Sequence, residues 1–276
     1  MDVSFRMRLL TALIGIPFII LLLFSPVPVM TGIVMLVSVV GLYEFFKAAG
    51  LLQHKLLCLF GFLAALIIPV GSYLAPGTSL AIVYLYVVLL FCLMLASKKK
   101  ITFTHLAIVL IGLLYIPYFL SHILYIRTMQ FGNFYVWLVF LGAFMTDSCA
   151  FFAGKALGRH KLCPNISPKK TVEGAIGGVV GCGLSFILFG IIINAFFTPW
   201  LAGQQMNLWM LFVLGIFAAM VSEIGDLVAS MIKRQFGIKD FGNILPGHGG
   251  ILDRCDSIVL VAPLIFLFIL KFGILF

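Results

Sequence analysis

Runs of about twenty apolar residues recur along almost the whole chain, and no other feature constrains its fold as strongly. A membrane-spanning helix needs about 20 mostly apolar residues. Such runs fall at residues 9–25, 28–46, 56–75, 79–96, 106–125, 134–153, 174–197, 207–232 and 256–275. In hydrocarbon each backbone amide must find its partner inside the segment, so runs of this length are helices. The pattern predicts an all-α, polytopic integral membrane protein with about nine transmembrane helices. Of 276 residues, 63% are apolar and 10% charged, against about 45–50% and about 25% in soluble domains. That excludes an ordinary globular domain, a disordered chain and a nucleic-acid-binding module. No small-residue cleavage site follows the first run, so it reads as a retained helix rather than a signal peptide. Ser25-Pro26-Val27-Pro28 joins the first two runs, and a re-entrant hairpin stays open for that pair. Pro17, Pro69, Pro117 and Pro263 lie inside runs and predict kinks, which membrane helices tolerate.

The charges add direction. With the N-terminus inside and the runs alternating, 16 of the 18 Lys/Arg fall in inner segments and only Arg127 and Lys271 in outer ones. This asymmetry predicts a cytoplasmic N-terminus and an outer C-terminus. Seven of the nine acids lie between positions 147 and 256. Asp147, Glu223 and Asp226 sit inside apolar runs, where insertion scales charge about 2.5–3.5 kcal/mol for an Asp at mid-membrane. In this topology they fall towards the cytoplasmic ends of their helices, and Asp253 and Asp256 open the last helix. Glu223 and Asp226 are spaced i, i+3, as are Asp253 and Asp256, so each pair can share a helix face. Clustered carboxylates repel one another unless they are protonated or bridged by a cation, and oxygen-only ligands suit Mg²⁺ or another hard cation. Some of these acids can instead cap helices or pair with a neighbouring base, as Asp253 can beside Arg254. Asp147 can support the site or contact substrate.

Two basic loops flank the acids. The first, residues 154–174, holds five bases (Lys155, Arg159, Lys161, Lys169, Lys170), several glycines, and Ser167 and Thr171. Such a loop suits a polyphosphate, and a helix opening at Thr171 or Glu173 would favour anions at its N-terminus. Basic residues beside an inner leaflet also serve plain electrostatics. The second loop, residues 233–250, ends in Pro246-Gly247-His248-Gly249-Gly250, a tight turn leading into Asp253-Arg254-Cys255-Asp256. A bare linker has no need of such a turn. His248, on a polar loop, is a stronger functional candidate than His54, His105 or His122, which read as packing or interfacial residues. Gly174, Gly177, Gly178, Gly181 and Gly183 predict close helix packing. The six cysteines lack metal-site or disulfide spacing and read as small apolar residues. Cation-holding acids between phosphate-holding loops point to phosphoryl or nucleotidyl transfer.

Ser230-Met231-Ile232-Lys233-Arg234, then Lys239-Asp240, then Leu245-Pro246-Gly247-His248-Gly249-Gly250-Ile251-Leu252-Asp253-Arg254-Cys255-Asp256 resembles the signature of the phosphatidate cytidylyltransferase (CDP-diacylglycerol synthase) family. Upstream, Asp147, Gly154, Gly158-Arg159, Lys161-Leu162, Pro164, Ser167-Pro168-Lys169-Lys170-Thr171 and Glu173-Gly174 are similar to it as well. Residues 1–135 resemble it only in hydropathy. Cys255 and Cys149 depart from the family's usual residues without an evident threat to activity.

The resemblance implies a homodimer that makes CDP-diacylglycerol and pyrophosphate from CTP and phosphatidic acid in a bacterial inner membrane, with the site facing the cytoplasm. It implies Mg²⁺, with a second, monovalent cation such as K⁺ beside it. Asp226, Asp253 and Asp256, with Glu223, are the expected metal ligands. Asp226, Asp253, Asp256, Lys233, Arg234 and His248 are the expected catalytic set. Asp147, Ser167, Lys169, Lys170, Thr171, Glu173, Ser230, Lys239, Asp240 and Arg254 are the expected substrate contacts. Residues 1–135 are expected to form scaffold helices with a dimerisation role, and residues 136–276 the catalytic half. The alternatives are a cation-coupled transporter, which predicts mid-membrane acids and pseudo-symmetric halves, and a CTP-using lipid kinase, which would release CDP. CDP-alcohol phosphotransferases need a longer acidic spacing that is absent.

Overall fold

The computed structural model describes residues 15, 17–75, 77–97, 100–244 and 249–276. Among them, eight helices are long and apolar enough to cross a membrane. The all-α, polytopic membrane architecture read from the apolar runs is therefore the one observed. The first expected helix, 9–25, begins outside the described residues; residues 17–24 are helical.

We number the helices α1 (Val27–Ala48), α2 (Lys55–Leu74), α3 (Thr78–Ala96), α4 (Phe103–Leu113), α5 (His122–Thr128), α6 (Gly132–Leu157), α7 (Val172–Phe196), α8 (Leu208–Gln235) and α9 (Leu252–Phe272). Here α4 and α5 are parts of one span, Phe103–Thr128. They are joined by a π-helical turn, Leu114–Tyr118, that contains Pro117. Proline has no N–H and crowds the preceding turn, and the wider π turn accommodates it. The Ser121 hydroxyl donates to the Pro117 carbonyl at 2.6 Å. The kink expected at Pro117 is thus a change of helix type, whereas α2 and α9 continue through Pro69 and Pro263.

The helices form two compact units. One comprises Met1–Thr128 with Gln235–Cys255, the other Met129–Arg234 with Asp256–Phe276. In the first, Leu42, Phe46, Leu57, Ala65, Leu113 and Leu124 are fully buried. Gly61 and Gly112 let α2 and α4 approach the Phe46 and Phe45 rings of α1. A buried hydroxyl chain runs from Tyr125 to Ser79 (2.5 Å) and on to Ser72 (2.7 Å), satisfying polar groups that lipid could not.

In the second unit, α6 and α7 lie together along the glycines of α7. A Cβ at Gly177 would collide with Ala153, and one at Gly181 with Cys149. The glycine row is therefore a packing surface, as its spacing predicts. Gly215 on α8 meets the Gly183 backbone of α7, where a Cβ would lie 2.8 Å from the Gly183 Cα. Exposed Leu36, Leu63, Leu85, Phe152, Leu188 and Leu267 turn apolar side chains outward, the reverse of a water-soluble fold.

Candidate active site

Gly225, between Glu223 and Asp226, fixes how closely α8 approaches α9. A Cβ there would stand 2.8 Å from the Asp256 carbonyl oxygen and 3.4 Å from the Ser257 Cα. One turn away, the Ser257 hydroxyl donates to the Ser222 carbonyl at 3.4 Å. Close crossing puts Asp256 within electrostatic reach of Asp226, Asp147 and Lys233. Glu223 in turn feels Asp147, Asp226 and Lys170. Four expected carboxylates, from α6, α8 and α9, thus lie within electrostatic range of one or more of the others, while no three acids among the described residues are close enough to hold one metal ion. Asp256 is 9% exposed, and its Oδ1 accepts the Ser257 amide at 2.8 Å. Glu223 Oε1 is buried with no hydrogen-bond partner among the described residues.

The first basic loop is not irregular. Lys161–Cys163 (β1) and Ser167–Thr171 (β2) pair as an antiparallel hairpin, Lys161 opposite Thr171 and Cys163 opposite Ser167. The hairpin feeds directly into α7. Thr171 is the N-cap, its hydroxyl accepting the Gly174 amide at 3.1 Å. Gly154, Gly158 and Gly174 crowd around this threonine, and a Cβ at Gly154 or Gly174 would lie 2.9 Å from its Oγ1. Glu173 turns back to accept the Arg159 amide at 3.0 Å and the His160 amide at 3.2 Å, and its other oxygen meets His160 Nδ1 at 2.6 Å. The oxygens of Thr171 and Glu173 therefore hold the loop in shape.

Lys170, on β2, reaches Asp226 with Nζ 2.6 Å from Oδ2, each side chain about a quarter exposed. Beside this pair lies a cavity of about 330 Å³, near the lower end of small-ligand pockets (about 300–1,000 Å³). Lys155, Lys169, Lys170 and Thr171 line it, with Asp147 and Glu223 among them and Phe151 and Leu162 as apolar wall. Cations that can grip phosphate oxygens thus share one cavity with carboxylates that can bind a hard cation, with an apolar side suited to a lipid. Lys233 is half-buried near the end of α8, Ser230 half-buried one turn earlier, and Arg234 exposed.

From Gln235 onward the second loop belongs to the first unit. Asp253 is 6% exposed, and its Oδ2 accepts the Phe241 amide at 2.8 Å and the Gly250 amide at 2.9 Å. Asp253 thus ties the amides of the loop before α9, Phe241 and Gly250, to the first turn of that helix. Lys239, Asp240 and Arg254 are exposed. His248 lies outside the described residues, together with Leu245, Pro246 and Gly247.

One residue of this region escaped the sequence reading. Glu44 on α1 is 2% exposed, and it accepts the Ile251 amide on Oε1 at 3.1 Å and the Leu252 amide on Oε2 at 2.9 Å. The available signal was an acid inside an apolar run, the same feature that singled out Asp147 and Asp226.

Residues 6–272 match the family model described as the Cytidylyltransferase family. The chain is 34% identical over 269 residues to the phosphatidate cytidylyltransferase of Staphylococcus haemolyticus, covering 94% of this chain and 97% of the relative. It is 32% identical over 270 residues to that of Staphylococcus aureus, with the same coverage. A stretch of 169 residues, 61% of each chain, is 40% identical to that of Staphylococcus epidermidis.

Proposed function

The chain belongs to the cytidylyltransferase family, and on that premise we propose that it is a phosphatidate cytidylyltransferase, transferring CMP from CTP to phosphatidic acid to give CDP-diacylglycerol and pyrophosphate. The observation that carries the reading is the cavity that Lys169 and Lys170 line together with Asp147 and Glu223, with Lys170 paired to Asp226. A phosphate oxygen of the lipid attacks the α-phosphorus of CTP in line. A new P–O bond forms there as the bond to the β-phosphate oxygen breaks, and pyrophosphate leaves. The protein's task in such a transfer is placement and charge neutralisation. In this reading Lys169, Lys170, Lys233, Arg234, Lys239 and Arg254 hold phosphates of CTP or lipid. Ser167, Ser230, Asp147, Asp240 and His248 complete the polar surround. Thr171 and Glu173 act by shaping the hairpin.

The donor chemistry fits Mg²⁺. The carboxylates offer oxygen only, and Glu223 Oε1 is a buried oxygen with no hydrogen-bond partner among the described residues. No three Asp, Glu, His or Cys side chains among those residues form a ready-made cage. That suits an ion that usually keeps several waters and takes one or two carboxylates plus substrate phosphates. Asp226, Asp253, Asp256 and Glu223 are the carboxylates from which the one or two Mg²⁺ ligands would come, with the others serving K⁺ as a second cation; Mg²⁺ would neutralise charge developing on the phosphates. The placement of sixteen bases supports a site that opens to the cytoplasm, where CTP is found. A homodimer completes the proposal, with residues 1–135 as scaffold.

The test is incubation of purified protein in detergent with CTP, phosphatidic acid and Mg²⁺. CDP-diacylglycerol and pyrophosphate are the expected products. Release of CDP would instead identify a lipid kinase, and no product from folded protein would refute the reading.

A further inference from the structure

Glu44 is a buried carboxylate for which the proposed chemistry has no use. Both of its oxygens accept consecutive backbone amides, those of Ile251 and Leu252, where α9 begins. Asp253 holds the preceding amide, Gly250, and that of Phe241. Two carboxylates therefore engage three successive amides, 250 to 252, at a helix end whose first N–H groups have no intrahelical partners. The fit is tight on the Glu44 side. A Cβ at Gly250 would lie 2.5 Å from each Glu44 oxygen, and one at Gly242 would lie 2.7 Å from its Cδ. Next to Glu44, the Phe45 ring stands 6.1 Å from Phe236 and 6.5 Å from Phe241, so an aromatic contact backs the same loop.

We infer that Glu44 is a positioning residue: from the N-terminal helix α1 it sets the start of α9 and thereby the place of Asp253. Its requirement is geometric, two acceptor oxygens facing two donors. Glutamine offers one acceptor and turns an NH₂ group towards the other amide. Aspartate keeps the charge but is one methylene too short to reach both.

The consequence for turnover rests on the function proposed above, whereas the consequence for the loop does not. In Glu44→Gln, hydrogen exchange at the amides of residues 250–252 should become at least roughly tenfold faster, because bonds to a charged acceptor are lost. With CTP, phosphatidic acid and Mg²⁺, kcat should fall on the order of 10- to 100-fold, and the Mg²⁺ concentration giving half-maximal rate should rise. Glu44→Asp should show both effects, since the position of the charge and not its presence is at stake. Gly250→Ala presses on the same contact from the loop side and serves where a Glu44 variant fails to fold. Unchanged exchange in these variants would overturn the clamp. Faster exchange with wild-type kcat and wild-type Mg²⁺ dependence would overturn the positioning role. Wild-type protein that makes no CDP-diacylglycerol would instead refute the proposed function, leaving the exchange result to judge Glu44.

Discussion

Asp226 and Lys170 face each other at 2.6 Å, about three-quarters covered by protein. Loss of either leaves the other charge partly buried without this partner, which costs more than breaking an exposed pair. Asp226→Asn should lower turnover roughly 10²- to 10³-fold, the several kcal/mol expected of a group proposed to share charge with metal and phosphates, while the protein still elutes as a folded species with a somewhat lower Tm. A near-normal rate would remove Asp226 from the site. Lys170→Met should lower kcat/KM for CTP by about 10²-fold. Because the two residues act on each other, the double variant should lose less than the product of the single losses; a product equal to the two would mean they work separately. Asp226 was legible in the sequence because an ionised side chain in a membrane helix needs a reason to be there. Glu44 obeyed the same rule, but its partners are backbone amides 207 and 208 positions away. No spacing or pattern reveals such a partner. Thr171 and Glu173 were legible as important residues, yet the sequence did not show that their oxygens face their own loop.

The helical elements follow from apolar length alone, and the observed bounds depart from the sequence reading by a few residues. The β1–β2 hairpin did not follow. Its strands contain Pro168 and three lysines, without the alternating apolar pattern that marks a half-buried strand. Its order comes from the His160 carbonyl, which accepts the Val172 amide at 2.9 Å, and from the Glu173 contacts. The α8–α9 crossing was equally hidden, since one glycine between two acids has no periodicity to report. Gly225→Ala should cost about 1–3 kcal/mol by overpacking, because the added Cβ meets backbone at 2.8 Å and has no flexible side chain to displace. Thermal unfolding in detergent should show a lower Tm and reduced activity. Gly32→Ala, where nothing lies within 4 Å, should leave both unchanged. A wild-type Tm for Gly225→Ala would show that the crossing can relax.

For the molecule as a whole, the arrangement of basic residues predicts a measurable sidedness. In a background without native cysteines, a single cysteine at Arg159 or Lys239 should react with a membrane-impermeant reagent only from the cytoplasmic side. One at Gln204 should react only from the opposite side. All three positions are exposed. The reverse pattern would invert the topology and detach the site from the CTP pool. Trp200 and Trp209, exposed near the Gln204 segment, suit the aromatic belt of a membrane interface.

The distance along the chain between Glu44 and α9 also has a meaning in time. Glu44 enters the membrane with α1, early in synthesis, but the amides it holds belong to residues 251 and 252 of 276. Contacts so remote close late, after the intervening helices have been made and the entropy of a long loop has been overcome. A nascent chain would therefore carry most of its helices before the start of α9 could be set, and catalytic competence would arrive as one of the last events of its biogenesis.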